Sequence, residues 1–207
     1  MKTLRQLVYE ATPEDERPII MVDLDGVLVD LNRGVSGLTG GLDFAAWKSR
    51  GKSMANKKGQ VPQEVSNQTL HNMITDAGVK FWADLPWMSD GKKLWSFLKK
   101  YDVHVLSAYR KPTNDPKGFS KKGKSIWVSR NLNLSPAKTH LVFRDQKKDY
   151  VTYDGRPAIL IDDYSKNIQE FTAKGGKGIV HTSASSTISQ LKRMGFKYPK
   201  WINNGRN

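Results

Sequence analysis

Short hydrophobic runs alternate along the chain with amphipathic segments, and this alternation predicts the secondary structure. Five runs rich in Val and Ile resemble buried strands; they span residues 18–24, 103–106, 141–143, 158–161 and 178–181. Three segments repeat hydrophobic residues at helical spacing, at residues 91–101, 124–134 and 185–195. Strands that alternate with helices predict an α/β protein with a Rossmann-like parallel sheet and helices on both faces.

The segment 31–88 interrupts this alternation, because it is first rich in Gly and Lys, then aromatic, and contains no clear strand. It predicts a small helical cap inserted after the first strand. The core would then comprise residues 18–30 and 89–207, and residues 1–17 would form an N-terminal arm. Within the core, the polar stretch KPTNDPKGFSKKG at 111–123 predicts a loop.

Polar residues stand where three of the predicted strands end. Asp23 and Asp25 end the first strand, Ser107 the second, and the pair Asp162 and Asp163 the fourth. Ligands of an open parallel sheet bind outside the carboxyl ends of its strands, so these side chains should share one crevice. Four carboxylates in one crevice repel one another and need a cation. Oxygen ligands without Cys or His favour Mg²⁺.

The spacing of the first two acids suits phosphate chemistry. Asp23 and Asp25 point to the same side of an extended strand, because side chains alternate with a period of two. One carboxylate can attack phosphorus while the other donates a proton to the leaving oxygen. Ser107 can hydrogen-bond a phosphoryl oxygen, and a lysine can stabilise the charge on the transferred group.

Several segments resemble the haloacid-dehalogenase-like (HAD) phosphatase superfamily in their order along the chain. They are VDLDGVLVD at 22–30, VHVLSAY at 103–109 and ILIDDYSKN at 159–167. Within the superfamily, the chain is most similar to the 5′(3′)-deoxyribonucleotidase family and its phage and bacterial relatives. That similarity also includes FWADLPWMSDGKKLW at 81–95, KSIWVSRNL at 124–132 and FRDQKK at 143–148.

The resemblance implies a role for each residue of the crevice. Asp23 would be the nucleophile, and Asp25 the general acid and base. Mg²⁺ would be bound by Asp163, Asp23 and the backbone carbonyl of Asp25, with Asp162 in support. Ser107, together with its neighbour Ala108, would bind the phosphate.

The lysine of the site has three candidates. The family pattern is Arg-Asp-Lys, whereas this chain has Arg144-Asp145-Gln146-Lys147-Lys148. We expect Lys147 or Lys148 to contact the phosphate, and Lys124 is the third candidate.

Further contacts with the substrate are expected from Arg144 and from the aromatic residues Phe81 and Trp82 of the cap. Asn167 is either an ordinary helix-surface residue or one that holds a water molecule on the metal.

The net charge of +14 lies in two segments. Residues 48–58 contain five basic residues and no acid, and residues 110–148 contain eleven basic residues against two Asp. We expect both segments to border the mouth of the active site, where they would attract an anionic substrate. The alternative is that they form two solvated surfaces.

These features predict a Mg²⁺-dependent phosphatase with a phosphoaspartate intermediate, which dephosphorylates deoxyribonucleoside or ribonucleoside monophosphates. The alternative substrate is a 3′- or 5′-phosphorylated nucleic-acid end, because the basic segments could follow a phosphate backbone. A homodimer is compatible with the resemblance. The chain has no Cys, no secretory signal and no apolar stretch long enough to span a bilayer, so we expect a cytoplasmic protein that does not bind membranes.

Overall fold

The computed structural model describes residues 16–55, 59–60, 62 and 66–197, together with positions 4, 8, 12 and 13. The strands are β1 (Ile19–Val22), β2 (Val103–Ala108), β3 (Thr139–Val142), β4 (Thr152–Tyr153), β5 (Arg156–Asp162) and β6 (Lys177–Val180). The α-helices are α1 (Leu31–Leu38), α2 (Phe44–Ser53), α3 (Asn67–Asp76), α4 (Gly78–Ala83), α5 (Gly91–Leu98), α6 (Phe119–Leu132), α7 (Ser165–Ala173) and α8 (Ala184–Arg193). Two 3₁₀ helices span Pro136–Lys138 and Arg144–Tyr150.

The strands form one mostly parallel sheet in the order β3, β2, β1, β5, with β6 also paired to β5. Only β4 is antiparallel, and it pairs with the first residues of β5. The central strand β1 reads Ile-Ile-Met-Val and is fully buried, as expected for a strand covered on both faces. The predicted α/β fold with a parallel sheet is therefore confirmed.

Alternate residues of β1 face two different hydrophobic clusters. Ile20 and Val22 pack into the larger cluster, which includes residues of α5, α6 and α8, whereas Ile19 and Met21 pack into a smaller cluster with α7. Helices therefore cover both faces of the sheet, as the sequence predicted.

The segment predicted as a cap contains α1 to α4, and within its described residues no extended strand occurs. Three of its helices begin at a residue whose side chain accepts a backbone N–H three positions later. These N-caps are Asp30, Asp43 and Ser66, and such caps stabilise a helix start by about 1 kcal/mol. The exact boundaries of cap and core remain predictions, and most of the predicted N-terminal arm lies outside the described residues.

The prediction of a loop at 111–123 is wrong at its end, because α6 begins at Phe119. The buried carboxylate of Asp115 accepts the backbone N–H groups of Phe119 and Ser120 at 2.9 and 2.7 Å, and the Ser120 hydroxyl at 2.6 Å. These bonds satisfy N–H groups that the first turn of a helix otherwise leaves unpaired. A polar sequence therefore begins a helix here.

The described helices include none with both the length and the hydrophobicity of a membrane span.

Candidate active site

Asp23 lies directly after β1, at the carboxyl edge of the sheet. Its backbone N–H bonds the Ile161 carbonyl of β5 at 2.9 Å, which fixes it beside the end of that strand. One carboxylate oxygen accepts the Leu24 N–H at 2.8 Å, and the other lies 2.9 Å from the Lys147 ammonium. Burial raises the pKa of Asp23, but the nearby charges of Lys147 and Lys124 outweigh this effect, so the pKa is lowered overall. Asp23 is thus held as a carboxylate.

Asp162 holds Lys147 in place. Its Oδ2 accepts from Lys147 Nζ at 2.7 Å and from Asn167 Nδ2 at 2.9 Å, and its Oδ1 accepts the Tyr164 backbone N–H at 2.9 Å. The Asp162 carboxylate is fully buried and has hydrogen bonds on both oxygens. We infer that it orients Lys147 toward Asp23. Asn167 is also buried, so the interpretation as a helix-surface residue is wrong.

Asp163 completes an acidic cluster. One oxygen each of Asp23, Asp162 and Asp163 can be chosen so that all three lie within 4.8 Å of one another. Burial and the charges of the other two acids raise the pKa of Asp163 to about 6. Gly26 allows this close approach, because a Cβ atom there would stand 2.2 Å from Asp163 Oδ2.

Asp25 and Ser107 meet at a second buried lysine, Lys124 of α6. Lys124 is 2% exposed. Its ammonium donates to Asp25 Oδ2 at 2.5 Å, to the Ser107 hydroxyl at 3.1 Å and to the Ala108 carbonyl at 2.6 Å. All three of its N–H groups are therefore used.

The environment of Asp25 differs from that of Asp23. Burial raises the pKa of Asp25, and the charge of Lys124 only partly opposes this. Its Oδ1 atom is buried and has no hydrogen-bond partner among the described residues, although 29% of the side chain is exposed. Of two such neighbouring carboxyl groups, the one with the raised pKa can act as the acid and the one with the lowered pKa as the nucleophile.

The charges of the cluster suit a divalent cation. Four carboxylates, those of Asp23, Asp25, Asp162 and Asp163, face two ammonium groups, so two negative charges remain formally unbalanced. Burial is the main cause of the raised pKa values of Asp162 and Asp163, and the charges of the neighbouring acids raise them further. A hard cation with oxygen ligands would remove the charge imbalance, so the donor set fits Mg²⁺.

A pocket of about 250 Å³ opens beside Asp25, between the core and the predicted cap. Its walls include Leu31, Phe44 and Trp82 from the cap. Tyr109 and Lys124 line it from the core side. The pocket wall is mostly apolar, and its ionisable residues include Asp25, His71, Arg110 and Lys124.

Among the lysine candidates, the structure brings Lys147 and Lys124 to the acids but not Lys148. Successive residues of a 3₁₀ helix point about 120° apart, so Lys148 cannot share the direction of Lys147. Its charge instead helps to lower the pKa of Glu170 on α7. The expectation that Lys148 belongs to the site is therefore corrected.

Two other expected substrate contacts are engaged elsewhere in the structure. Arg144 donates to Glu170 at 3.0 Å and to Asn167 Oδ1 at 3.1 Å. It therefore reaches the site only through Asn167, which donates to Asp162. The Phe81 ring packs edge-on against Trp82 with 5.1 Å between centroids, and it is not part of the pocket wall. Trp82 does line the pocket, and its ring centroid lies 5.6 Å from Lys124 Nζ.

Two basic residues of the pocket wall, His71 and Arg110, were given no individual site role from the sequence, although Arg110 belongs to the basic segment 110–148. His71 had no assigned role, and nothing in its local pattern distinguishes it from a surface residue of α3. Arg110 was visible, because it stands three positions after Ser107 at a strand end that the sequence already identified.

The basic segments are more dispersed than expected. Within 110–148, Lys138 pairs with Asp102 at 2.6 Å near the amino end of β2, and Arg130 pairs with Asp84 at 2.8 Å. The expectation that this whole segment borders the active site is therefore wrong. In the other segment Lys48, Arg50 and Lys52 are exposed on α2, whereas residues 56–58 lie outside the described residues.

Comparisons with known proteins agree with this fold. The model of a family described as "5' nucleotidase, deoxy (Pyrimidine), cytosolic type C protein" matches residues 17–194. A HAD family hydrolase from Deinococcus radiodurans R1, solved with bound phosphate and sodium, is 12% identical with a TM-score of 0.55, covering 89% of this chain and 99% of its own. L-2-haloacid dehalogenase from Xanthobacter autotrophicus is 13% identical with a TM-score of 0.45, covering 84% of this chain and 82% of its own. No curated protein sequence matches the chain.

The contact between Gly26 and Asp163 predicts the effect of a single methyl group. Gly26 has φ of +73°, and Gly40 has a similar φ of +70° with no atom within 4 Å of the position that a Cβ would occupy. Gly26→Ala and Gly40→Ala should both lose about 1–2 kcal/mol of unfolding free energy in chemical denaturation, because an L-residue is strained at positive φ.

Only Gly26→Ala should also displace the Asp163 carboxylate. Its phosphatase turnover should fall by about 100-fold, the scale expected when a site group is misplaced by an ångström, whereas Gly40→Ala should keep the wild-type rate. Equal rates in the two variants would show that the position of Asp163 does not matter for catalysis.

Proposed function

Because the chain belongs to the 5′ nucleotidase, deoxy (pyrimidine), cytosolic type C family of HAD hydrolases, we propose that it is a Mg²⁺-dependent phosphatase of nucleoside monophosphates that forms a phosphoaspartate on Asp23. The observation that carries this proposal is the pairing of two unlike carboxyl groups. Asp23 has a lowered pKa and lies beside Lys147, whereas Asp25 has a raised pKa and lies beside the substrate pocket.

In the first step an oxygen of the Asp23 carboxylate attacks the phosphorus atom, and the bond between phosphorus and the sugar oxygen breaks. Asp25 in its protonated form donates its proton to that sugar oxygen, so the nucleoside leaves as an alcohol. Lys147 and the Ser107 hydroxyl are placed to stabilise the negative charge of the phosphoryl oxygens, and Lys124, whose three N–H groups are already used, adds its charge beside them. The product of this step is an acyl phosphate on Asp23.

In the second step Asp25, now a carboxylate, removes a proton from a water molecule that attacks the same phosphorus atom. The acyl phosphate bond breaks, inorganic phosphate leaves, and the Asp23 carboxylate is regenerated. Asp25 therefore returns to its protonated form and is ready for another cycle.

Mg²⁺ would be held by Asp23, Asp163 and the backbone carbonyl of Asp25, and it would neutralise charge on the phosphate. Asp162 contributes less directly, because its carboxylate already accepts three hydrogen bonds. In this proposal Asp162 and Asn167 position Lys147, and Arg144 supports Asn167.

The pocket supports a small substrate. Aromatic side chains of Phe44, Trp82 and Tyr109 line a volume of about 250 Å³ next to Asp25, which suits the sugar and base of one nucleotide better than a strand. The dispersion of the basic segment 110–148 also gives little support to a nucleic-acid track. The preference for deoxyribose and the homodimer remain predictions.

A substrate panel tests the proposed function. Purified protein should release phosphate from deoxyribonucleoside monophosphates faster than from 5′- or 3′-phosphorylated oligonucleotides, lose this activity on chelation, and regain it with Mg²⁺ rather than Ca²⁺. Asp163→Asn should need more Mg²⁺ for half-maximal rate, while Asp145→Asn, at an exposed acid of the second 3₁₀ helix, should not. Full activity after exhaustive chelation would refute the metal assignment. Faster release from oligonucleotides would identify nucleic-acid ends as the substrate instead.

The role of Asp25 predicts an effect that depends on the leaving group. Asp25→Asn should slow a nucleotide substrate by about 100-fold or more, since a sugar alkoxide needs a proton to leave. With p-nitrophenyl phosphate the loss should be under about tenfold, because nitrophenolate leaves without one. Steady-state kcat on both substrates provides the comparison.

Asp30→Asn is the matched control, since Asp30 follows Asp25 by five residues and caps α1 through a hydrogen bond that Asn can also accept. It should change neither rate. Equal losses on both substrates in Asp25→Asn would mean that Asp25 only shapes the site.

A further inference from the structure

Arg110 is a second cation in the wall of the substrate pocket, and within the described part of the chain it has no anionic partner at hydrogen-bond distance. Its guanidinium donates to the Thr75 hydroxyl at 3.3 Å and to the His71 carbonyl at 3.5 Å. Both acceptors are neutral and both bonds are long. Among the described residues, no ion pair involves Arg110. Most of its five N–H donors therefore remain available to a ligand.

Asp115, whose charge acts on Arg110, does not form an ion pair with it among the contacts of the described residues. The negative charge of Asp115 raises the pKa of Arg110. The buried Asp115 carboxylate, however, accepts its hydrogen bonds from Phe119 and Ser120 at the start of α6. Burial lowers the pKa of Arg110. The pKa of His71 is also lowered, first by burial and then by the positive charge of Arg110. This end of the pocket therefore carries uncompensated positive charge.

Among the described residues, the same wall holds one acid, Asp25, and that acid is already paired with Lys124. A substrate phosphate at Asp23 would lie beside Lys147, which leaves Arg110 for another group. Arg110 follows Ser107 by three residues, so their Cα atoms are at most about 11 Å apart. Arg110 and Ser107 are therefore close enough for one small substrate to contact both.

We propose that Arg110 binds a second phosphate group of the substrate, so that the preferred substrate is a nucleoside 3′,5′-bisphosphate rather than a monophosphate. Arginine suits this role because its planar fork of donors matches phosphate oxygens. This inference rests on the proposed phosphatase function and extends it to the substrate class. The phosphodiester of a 5′-phosphorylated dinucleotide offers the same chemistry, but the enclosed volume favours the smaller bisphosphate.

Steady-state kinetics on three substrates test the proposal. The wild type should have a kcat/KM for a deoxynucleoside 3′,5′-bisphosphate about tenfold above that for the 5′-monophosphate, the effect of one added charge-assisted contact. A 5′-phosphorylated dinucleotide should lie below the bisphosphate. Arg110→Gln should abolish the preference, chiefly through KM for the bisphosphate, and Arg110→Lys should keep part of it.

Lys111→Gln is the matched control, because it removes the same charge from the adjacent, exposed residue outside the pocket wall. It should leave the preference at the wild-type value. The proposal is overturned if the wild type does not prefer the bisphosphate while it cleaves the monophosphate, or if Arg110→Gln keeps the preference. It is also overturned if the dinucleotide is preferred, since that identifies a nucleic-acid end. No phosphate release from any substrate would instead contradict the proposed function itself.

Discussion

The site depends on the balance between four carboxylates and two buried lysines at one edge of the sheet. Carboxylates so close together raise one another's pKa, and buried ammonium groups are costly without partners. Lys147 lies between Asp23 and Asp162, and Lys124 lies beside Asp25. Removing one partner of a buried ion pair costs about 3–5 kcal/mol in other proteins, so each lysine both stabilises the fold and sets the protonation of an acid.

The fold places these charges because its strands are parallel and end together. Register pairs Val22 of β1 with Ile161 of β5, which brings the acids that follow each strand side by side. The positive φ of Gly26 turns the chain away so that Asp163 fits against it. The Asp115 cap of α6 helps to fix the helix from which Lys124 reaches the site. Backbone geometry therefore creates a local excess of negative charge that a bound cation would neutralise.

The sheet and the acids could be predicted from the sequence, because both produce local patterns. Buried parallel strands are uniformly hydrophobic, and acids directly after them stand out. The lysines were harder, since a buried ammonium is chosen by tertiary contacts rather than by its neighbours in sequence. One signal was available: Lys124 precedes Trp127 and Val128 by three and four residues, so it lies on the buried face of its helix. Arg110 and His71 meet only when α3 folds over the end of β2, which no local pattern encodes.

In the proposed mechanism, Asp23 carries the phosphoryl group between the release of the nucleoside and the attack of water. The most direct measurement is to quench the enzyme in acid during turnover of a nucleotide, treat it with borohydride, and locate the modified residue by peptide mass spectrometry. Borohydride reduces an acyl phosphate to an alcohol, so the proposed mechanism predicts homoserine at position 23 and unmodified Asp at position 25. Modification of a different residue, or an unmodified Asp23 during sustained turnover, would contradict it.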